Sequence, residues 1–364
     1  GCSVSVITYP RYGSLEAFVG IPYNPNITPA NADSLVNSTE IEILPLDYRR
    51  QDLEPLREAT IIIGDIVGYT NDQGELWMSR IPEGTHPISV EHEYLRSTAY
   101  GSVKIHEGRN GPKNIYFGGV GYFLSIGVEQ NQDGITLSRG AANDASRFHN
   151  ALKENNTLYA AHKLLTNRQA TRKDILEEIS NYVKASRSKD DYLVIYFAGR
   201  MGRDFLCPYD DDPFGSWDRK TTIKDADLKR SLSGFKGDVT LILEGTQSAS
   251  FFDGERMPYE EKREPLAFQG TDYTVIASSI GHSYAEETNP YSNVYRGVFT
   301  NYFIEAIQSM RNQYHRDKVI TAKEIFNYVR PLVMNDTEYG KEGQQIPEIY
   351  EGSNKDNVIY RYRY

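Results

Sequence analysis

The stretch DDYLVIYFAGRMG, residues 190–202, decides the fold class of the larger part of this chain. An unbroken apolar run, rich in β-branched and aromatic residues, is typical of a strand that is buried on both faces of a sheet. The run stops at Gly199, and Arg200 follows it. The pattern therefore predicts a buried strand with a charged side chain projecting from its end.

The segments around this strand alternate between strand and helix patterns from residue 118 onward. GYFLSIGV, HKLLTN, DVTLILEG and DYTVIASS are predicted strands, and PEIYEG is a predicted last strand. The segments between them carry apolar residues at helical spacing, beginning with Leu137, Ala141 and Ala145. Such alternation predicts an α/β domain with a mostly parallel sheet flanked by helices. Ligands of such sheets bind at the carboxyl ends of the strands, where Arg200 and residues 244–246 should face each other.

Residues 1–117 have a different pattern, with short strands separated by turns and almost no helical periodicity. Asn71-Asp72-Gln73-Gly74 and Glu83-Gly84 provide turn chemistry between β-rich segments. This predicts an all-β sandwich domain before a second domain at 118–364. The stretch YTNDQGELWMSRIPEGTHPISVEHEY loosely resembles carboxypeptidase-regulatory and other prealbumin-like modules, which implies a fold and no chemistry.

Composition excludes several function classes. The chain of 364 residues has a formal net charge of -10, with acids and bases mixed, so no basic stripe is available for nucleic acid. No apolar run is long enough for a transmembrane segment. Its two cysteines, Cys2 and Cys207, have no metal-ligand spacing, and no glycine-rich phosphate loop follows a strand. We therefore predict no metal and no cofactor.

The start of the sequence, GCS, has two interpretations. It resembles the start of a bacterial lipoprotein, in which a secretory signal is removed up to a lipidated cysteine, and this makes Cys2 a lipidation candidate. A chance cysteine near a trimmed terminus explains it equally well. The first interpretation predicts a secreted or cell-envelope protein with a lipid anchor.

The order of elements in residues 118–364, together with several strings, resembles the caspase and metacaspase superfamily. YFLSIGV is similar to that family's opening strand, LSRGAANDASRF to its L-x-G-x-x-x-D-A helix start, and DYLVIYFAG to the strand that ends in S-G-H-G. VTLILEGTQSAS is similar to L-I-L-D-A-C-x-S-G, GVFTNYFIEAI to the G-x-F-T helix, and GQQIPEI to the Q-x-P ending. The strings occur in the family's order over about 240 residues, which makes the set specific.

The resemblance implies that both residues of the catalytic pair are substituted. The family's histidine position is Arg200, and its cysteine position is Thr246. Arginine stays protonated and cannot act as a base, and a threonine nucleophile needs an adjacent base. His282, on the loop after the fifth strand, could serve as the base for Thr246 or Ser248, although a histidine on a polar loop is usually only solvated. Cys207 lies in an apolar neighbourhood and is predicted to be a buried thiol.

A binding function for basic side chains is also implied. In relatives that cut after Lys or Arg, two acids hold the basic side chain, and these positions correspond to Asp144 and Glu244. Asp144 is explained equally well as an acid at a helix start. For Glu244 we also consider an ion pair with Arg200 that plugs the pocket, because a buried acid beside an arginine costs less than a buried acid alone.

Three functions follow as hypotheses. The first is a caspase-like peptidase homologue that has lost activity and serves as a binding or scaffolding module for a protein or peptide partner, with basic side chains as one option. The second is a cysteine-type endopeptidase homologue with residual or unconventional activity. The third is a cell-surface adhesin or glycan-binding protein that acts through the β-sandwich. Loss of both catalytic positions favours the first.

Overall fold

The computed structural model describes residues 12–22, 42–44, 53–92, 99–116, 121–153, 159–186, 191–212, 221–252, 267–268, 270–280, 286–289, 294–312, 319–339, 344–352 and 357–361. The chain forms two compact units, one of residues 1–119 with residue 364 and one of residues 120–363. No helix in the described ranges has both the length and the apolar character needed to cross a membrane.

Every described element of the first unit is a strand. The strands are β1 Tyr12–Pro22, β2 Glu42–Leu44, β3 Leu53–Pro55, β4 Thr60–Ile63, β5 Ile66–Tyr69, β6 Glu75–Pro82, β7 Gly84–Glu91, β8 Ala99–Ile105 and β9 Gly108–Tyr116. One sheet has the order β2-β9-β1-β3 with β6 also paired to β1, and the other has the order β5-β4-β7-β8. Alternate residues of both sheets, such as Leu76 and Met78 in β6 and Ile61 and Ile63 in β4, are buried in one apolar core.

The second unit alternates strands and helices. Its strands are β10 Gly121–Val128, β11 Tyr159–Thr166, β12 Tyr192–Gly199, β13 Met201–Gly202, β14 Phe205–Leu206, β15 Ile223–Lys224, β16 Asp238–Glu244, β17 Thr274–Ala277, β18 Glu286–Asn289, β19 Val294–Gly297, β20 Val319–Thr321, β21 Glu348–Glu351 and β22 Val358–Arg361. Its helices are α1 Ala141–Lys153, α2 Arg172–Ala185, α3 Asp225–Leu232, α4 Val298–Asn312 and α5 Ala322–Thr337.

The central sheet of this unit has six strands in the order β11-β10-β12-β16-β17-β21. Its pairs are parallel except for β17 with β21, which is antiparallel. Every residue of β10 and β12 is buried, as expected for strands covered on both faces. The predicted α/β class, with a mostly parallel sheet flanked by helices, is confirmed.

Helix α1 begins later than the helical spacing predicted. The spacing predicts that Leu137 lies on the helix, but α1 begins at Ala141. Gly140 has a left-handed backbone with φ of 81°, and a β-carbon there would lie 2.6 Å from the carbonyl oxygen of Tyr295. The glycine therefore ends a loop that is pressed against β19, and the helix starts after it.

One face of the central sheet packs against α1, α4 and α5. Alternate residues of β12, namely Tyr192, Val194, Tyr196 and Ala198, enter a core with Phe148 of α1 and apolar residues of α4 and α5. Ala198 is in register with Glu244, the last residue of β16. Residues that lie opposite each other in a parallel sheet point to the same face. This register directs the side chain of Glu244 toward α1 and α4.

Candidate functional site

The carboxyl ends of β12 and β16 lie side by side at the centre of the sheet. The hydroxyl of Thr246 donates a hydrogen bond of 3.5 Å to the carbonyl oxygen of Met201. A β-carbon added at Gly245 would lie 2.6 Å from the carbonyl oxygen of Gly199. The two segments that follow these strands are therefore in direct contact, at the edge where parallel sheets bind ligands.

Arg200 lies at this edge and is exposed. Its carbonyl oxygen accepts a hydrogen bond of 3.1 Å from the amide N–H of Cys207. Within the described residues, its guanidinium group has no ion-pair or hydrogen-bond partner. The backbone of Arg200 is therefore fixed while its charged group faces solvent.

Glu244 is fully buried. One of its carboxylate oxygens, Oε2, accepts hydrogen bonds from the hydroxyl of Thr300 in α4 and from the hydroxyl of Tyr196 in β12, the latter at 3.3 Å. The Tyr196 and Thr300 hydroxyls lie 2.5 Å apart. The other oxygen, Oε1, has no hydrogen-bond partner in the described part of the chain.

Asp144 is also fully buried, in the first turn of α1. Its Oδ2 accepts a hydrogen bond of 2.7 Å from the amide N–H of Gly297, and its Oδ1 lies 3.4 Å from a guanidinium nitrogen of Arg147. Arg147 also donates a hydrogen bond of 2.8 Å to the side-chain oxygen of Asn301. Asp144 thus connects α1 to β19 and, through Arg147, to α4.

Gly297, the last residue of β19, separates the two carboxyl groups. A β-carbon added there would overlap Oε1 of Glu244 and lie 3.1 Å from Oδ2 of Asp144. Only a residue without a side chain fits between the two acids. The acid pair, defined here as Asp144 and Glu244, is therefore packed around the backbone of β19.

Burial raises the pKa of both carboxyl groups. Desolvation is the main cause for each, and the charge of Asp144 raises the pKa of Glu244 further. The Gly297 N–H, Arg147 and Arg296 oppose the rise in the pKa of Asp144. Because Asp144 receives the N–H group and the guanidinium, we assign the negative charge of the pair to Asp144 and the proton to Glu244.

The predicted ion pair between Arg200 and Glu244 is wrong. Glu244 turns from the end of β16 into the space between β12, α1 and α4, whereas Arg200 follows the end of β12 into solvent. Two hydroxyl groups donate to Oε2 of Glu244, where the prediction placed a guanidinium. The structure brings Asp144 and Glu244 together, as a pocket for a basic side chain requires, yet both side chains have 0% exposure.

Sequence reasoning missed the residues that complete this cluster. The sequence pattern marks Tyr196 only as part of an apolar run, and it predicts no role for Thr300, Gly297 or Arg147. One signal is present in the sequence: a tyrosine inside a buried apolar strand needs a partner for its hydroxyl. The partners of that hydroxyl come from β16 and α4, which are distant in sequence.

The remaining candidate residues lie elsewhere. His282 and Cys2 fall outside the described residues. Cys207 is buried and forms no disulfide. Within the described ranges, no cluster of three or more His, Cys, Asp or Glu side chains is placed to hold a metal ion.

The site thus belongs to an α/β domain with a mixed, mostly parallel sheet, and it lies at the carboxyl edge of that sheet. Solved structures similar to the chain include protein GSU0716 from Geobacter sulfurreducens, at 14% identity and a TM-score of 0.44, covering 67% of this chain and 97% of that chain. Caspase-1 from Spodoptera frugiperda is similar at 13% identity and a TM-score of 0.46, covering 68% and 93%. The structure of pro-sf-caspase-1 is similar at 16% identity and a TM-score of 0.46, covering 66% and 94%. No protein-family model and no curated protein sequence matches the chain.

Proposed function

We propose that residues 118–364 form a caspase-like domain that has lost peptidase activity and acts as a binding or scaffolding module. The family strings quoted above place the base and the nucleophile of such enzymes at Arg200 and Thr246. The observation that carries the proposal is that these two residues stand at adjacent strand ends and offer neither a base nor a thiol. The position for catalysis is therefore occupied by side chains that cannot perform it.

The local chemistry of Thr246 supports this proposal. Its hydroxyl donates a hydrogen bond to the carbonyl oxygen of Met201. A carbonyl oxygen is too weak a base to remove the proton of the hydroxyl, as a general base would. Arg200 stays protonated at any ordinary pH, so it stabilises anions and accepts no proton. A threonine nucleophile without a base has a hydroxyl pKa far above that of a thiol.

No histidine in the described part of the second unit lies near Thr246. His162 in β11 is in register with Phe123, five residues before the end of β10, which places it about 16 Å back along the strands. His149 stacks on the ring of Phe123 at 5.5 Å and lies 5.0 Å from the ring of His162. These two histidines sit in the amino-terminal half of the sheet, away from the carboxyl edge.

Cleavage of peptide reporters tests whether the domain has lost peptidase activity. We expect the purified full chain to leave Arg, Lys and Asp peptide reporters uncut, with or without calcium, because Arg200 and Thr246 stand at the positions of the base and the thiol. The measurement is reporter release by the wild type, with Thr246→Ala as the matched control. Turnover that disappears in Thr246→Ala would establish the second hypothesis, an endopeptidase with unconventional chemistry.

The adhesin hypothesis also has an observation in its favour. In the first unit, Trp77 is 58% exposed on the outer side of β6, with the guanidinium carbon of Arg109 5.8 Å from its ring centre. An exposed tryptophan beside a hydrogen-bond donor suits a sugar ring. Binding of the full chain to a glycan array that is lost in Trp77→Ala supports this function, and binding that persists in Trp77→Ala opposes it.

A further inference from the structure

We propose that the carboxyl edge at β12 and β16 is a receptor for a carboxylate group, held by the guanidinium of Arg200 and the backbone N–H of Thr246. The ligand is an acidic residue or a chain terminus of a partner peptide. This inference rests on the proposed function, because it names what binds at an edge that performs no catalysis.

The first hydrogen-bond donor of the proposed site is the guanidinium of Arg200, which is unpaired in the described part of the chain. The guanidinium is exposed, and it has no carboxylate partner in the described residues. The two acids of the acid pair, Asp144 and Glu244, are fully buried and are bonded to Gly297, Arg147, Tyr196 and Thr300. A guanidinium presents parallel N–H groups that match the two oxygens of a carboxylate. Arg200 is therefore open to an external anion.

The second hydrogen-bond donor of the proposed site is the backbone N–H of Thr246. The N–H of Gly245 donates to the hydroxyl of Ser278 at 3.2 Å, and the N–H of Ala249 donates to the carbonyl oxygen of Ser279 at 3.1 Å. Between them, the N–H of Thr246 has no acceptor in the described chain, although the residue is half-buried. A backbone N–H group without an intramolecular acceptor can donate to a ligand oxygen.

The two donors, the Arg200 guanidinium and the Thr246 N–H, belong to neighbouring segments. Arg200 lies between Gly199 and Met201, and both of these contact the segment of Thr246. Gly199 approaches Gly245, where no side chain intervenes, and Met201 accepts the hydroxyl of Thr246 at 3.5 Å. Adjacent strands lie about 4.8 Å apart, a distance that the length of an arginine side chain can span. One carboxylate can then accept from both donors.

The site favours a single carboxylate over a polyanion. It offers one guanidinium and one N–H, whereas the chain as a whole has a net charge of -10, which repels nucleic acid and other polyanions. A basic side chain is disfavoured by the charge of Arg200. The chemistry therefore selects an aspartate, a glutamate or a peptide terminus.

The test uses acetate as the probe and the full chain as the receptor. Backbone amide NMR of the isotope-labelled protein follows Thr246 during titration with sodium acetate at constant ionic strength. We expect a saturable shift of the Thr246 amide with acetate and none with acetamide. Arg200→Ala should weaken acetate binding roughly tenfold or more, because a charge-assisted pair is lost, and Arg200→Lys should fall between the two. Arg230→Ala is the matched control, since it removes a guanidinium that is 78% exposed on α3.

A second experiment with peptides identifies the source of the carboxylate. Fluorescently labelled peptides of one sequence carry a central Asp, a central Asn, a central phosphoserine, or a free rather than amidated terminus, and anisotropy measures their affinity. Tighter binding of the Asp or free-terminus form than of the Asn amide supports the proposal and names the source. Absence of a saturable acetate shift, an acetate shift unchanged in Arg200→Ala, or tightest binding of the phosphoserine form overturns it. Cleavage of any peptide would contradict the proposed function and leave the carboxylate site standing.

Discussion

Gly297→Ala is expected to lower the free energy of unfolding of the second unit by about 3 kcal/mol, the upper end of what overpacking a tight interior costs. The new β-carbon would overlap Oε1 of Glu244 and approach Oδ2 of Asp144 to 3.1 Å. Neither acid can withdraw easily, because Thr300 and Tyr196 hold one and the Gly297 N–H and Arg147 hold the other. Urea unfolding followed by circular dichroism measures the effect.

Two controls separate crowding from other effects of this substitution. Gly134 has a left-handed φ of 76° and nothing within 4 Å of its would-be β-carbon, so Gly134→Ala reports backbone strain alone, about 1 kcal/mol. Glu244→Ala removes the atoms that the new β-carbon meets, so Gly297→Ala should cost less in that background. Equal costs in both backgrounds, or a Gly297→Ala variant as stable as the wild type, would show that the acid pair does not enclose β19.

Glu244→Gln is expected to change the pH dependence of stability. The pKa of Glu244 is raised well above its ordinary value of 4.5, mainly by burial and then by the charge of Asp144. In the unfolded chain the group loses its proton near its ordinary pKa, while the folded protein retains it. The stabilisation by the protonated form is therefore complete below pH 4.5 and is lost as pH rises toward the folded pKa.

Glutamine does not titrate, so the stability of the variant does not fall with rising pH for this reason. As the pH rises above the ordinary pKa of Glu244, the stability of Glu244→Gln relative to the wild type should rise by up to about 1.4 kcal/mol per pH unit. Urea titrations at several pH values measure the difference. Glu177→Gln, on the exposed face of α2, makes the same substitution at the surface and is the matched control. A flat difference for Glu244→Gln would mean that Glu244 is ionised in the folded protein.

The sequence predicted the class of the second unit because its strands are continuous apolar runs. The eight residues of β10 and of β12 are all buried, and no other arrangement hides such runs as well as a parallel sheet between helices. The antiparallel direction of β21 was not predictable from the sequence. Its residues are half-buried or exposed, and their pattern does not distinguish a parallel from an antiparallel strand. The start of α1 was misplaced because contact with β19, which lies far along the chain, decides the conformation of Gly140.

The site was predictable in its position and not in its contacts. Arg200, Glu244 and Thr246 are placed at strand ends by the sequence pattern alone. Which way Glu244 points depends on its register with Ala198, and what it meets depends on Thr300 and Gly297. Both follow from the arrangement of distant elements, so the sequence suggested a partner in Arg200 where packing supplies hydroxyl groups and a proton.

Unbiased detection of cleavage tests the central claim most directly. The wild type and Thr246→Ala are each incubated with a complex peptide library, and mass spectrometry identifies new peptide termini. We predict the same set of termini in both samples and in a sample without protein, because the strand ends that would carry a base and a thiol carry Arg200 and Thr246. Termini that appear with the wild type and vanish with Thr246→Ala would contradict the claim that this domain binds without cutting.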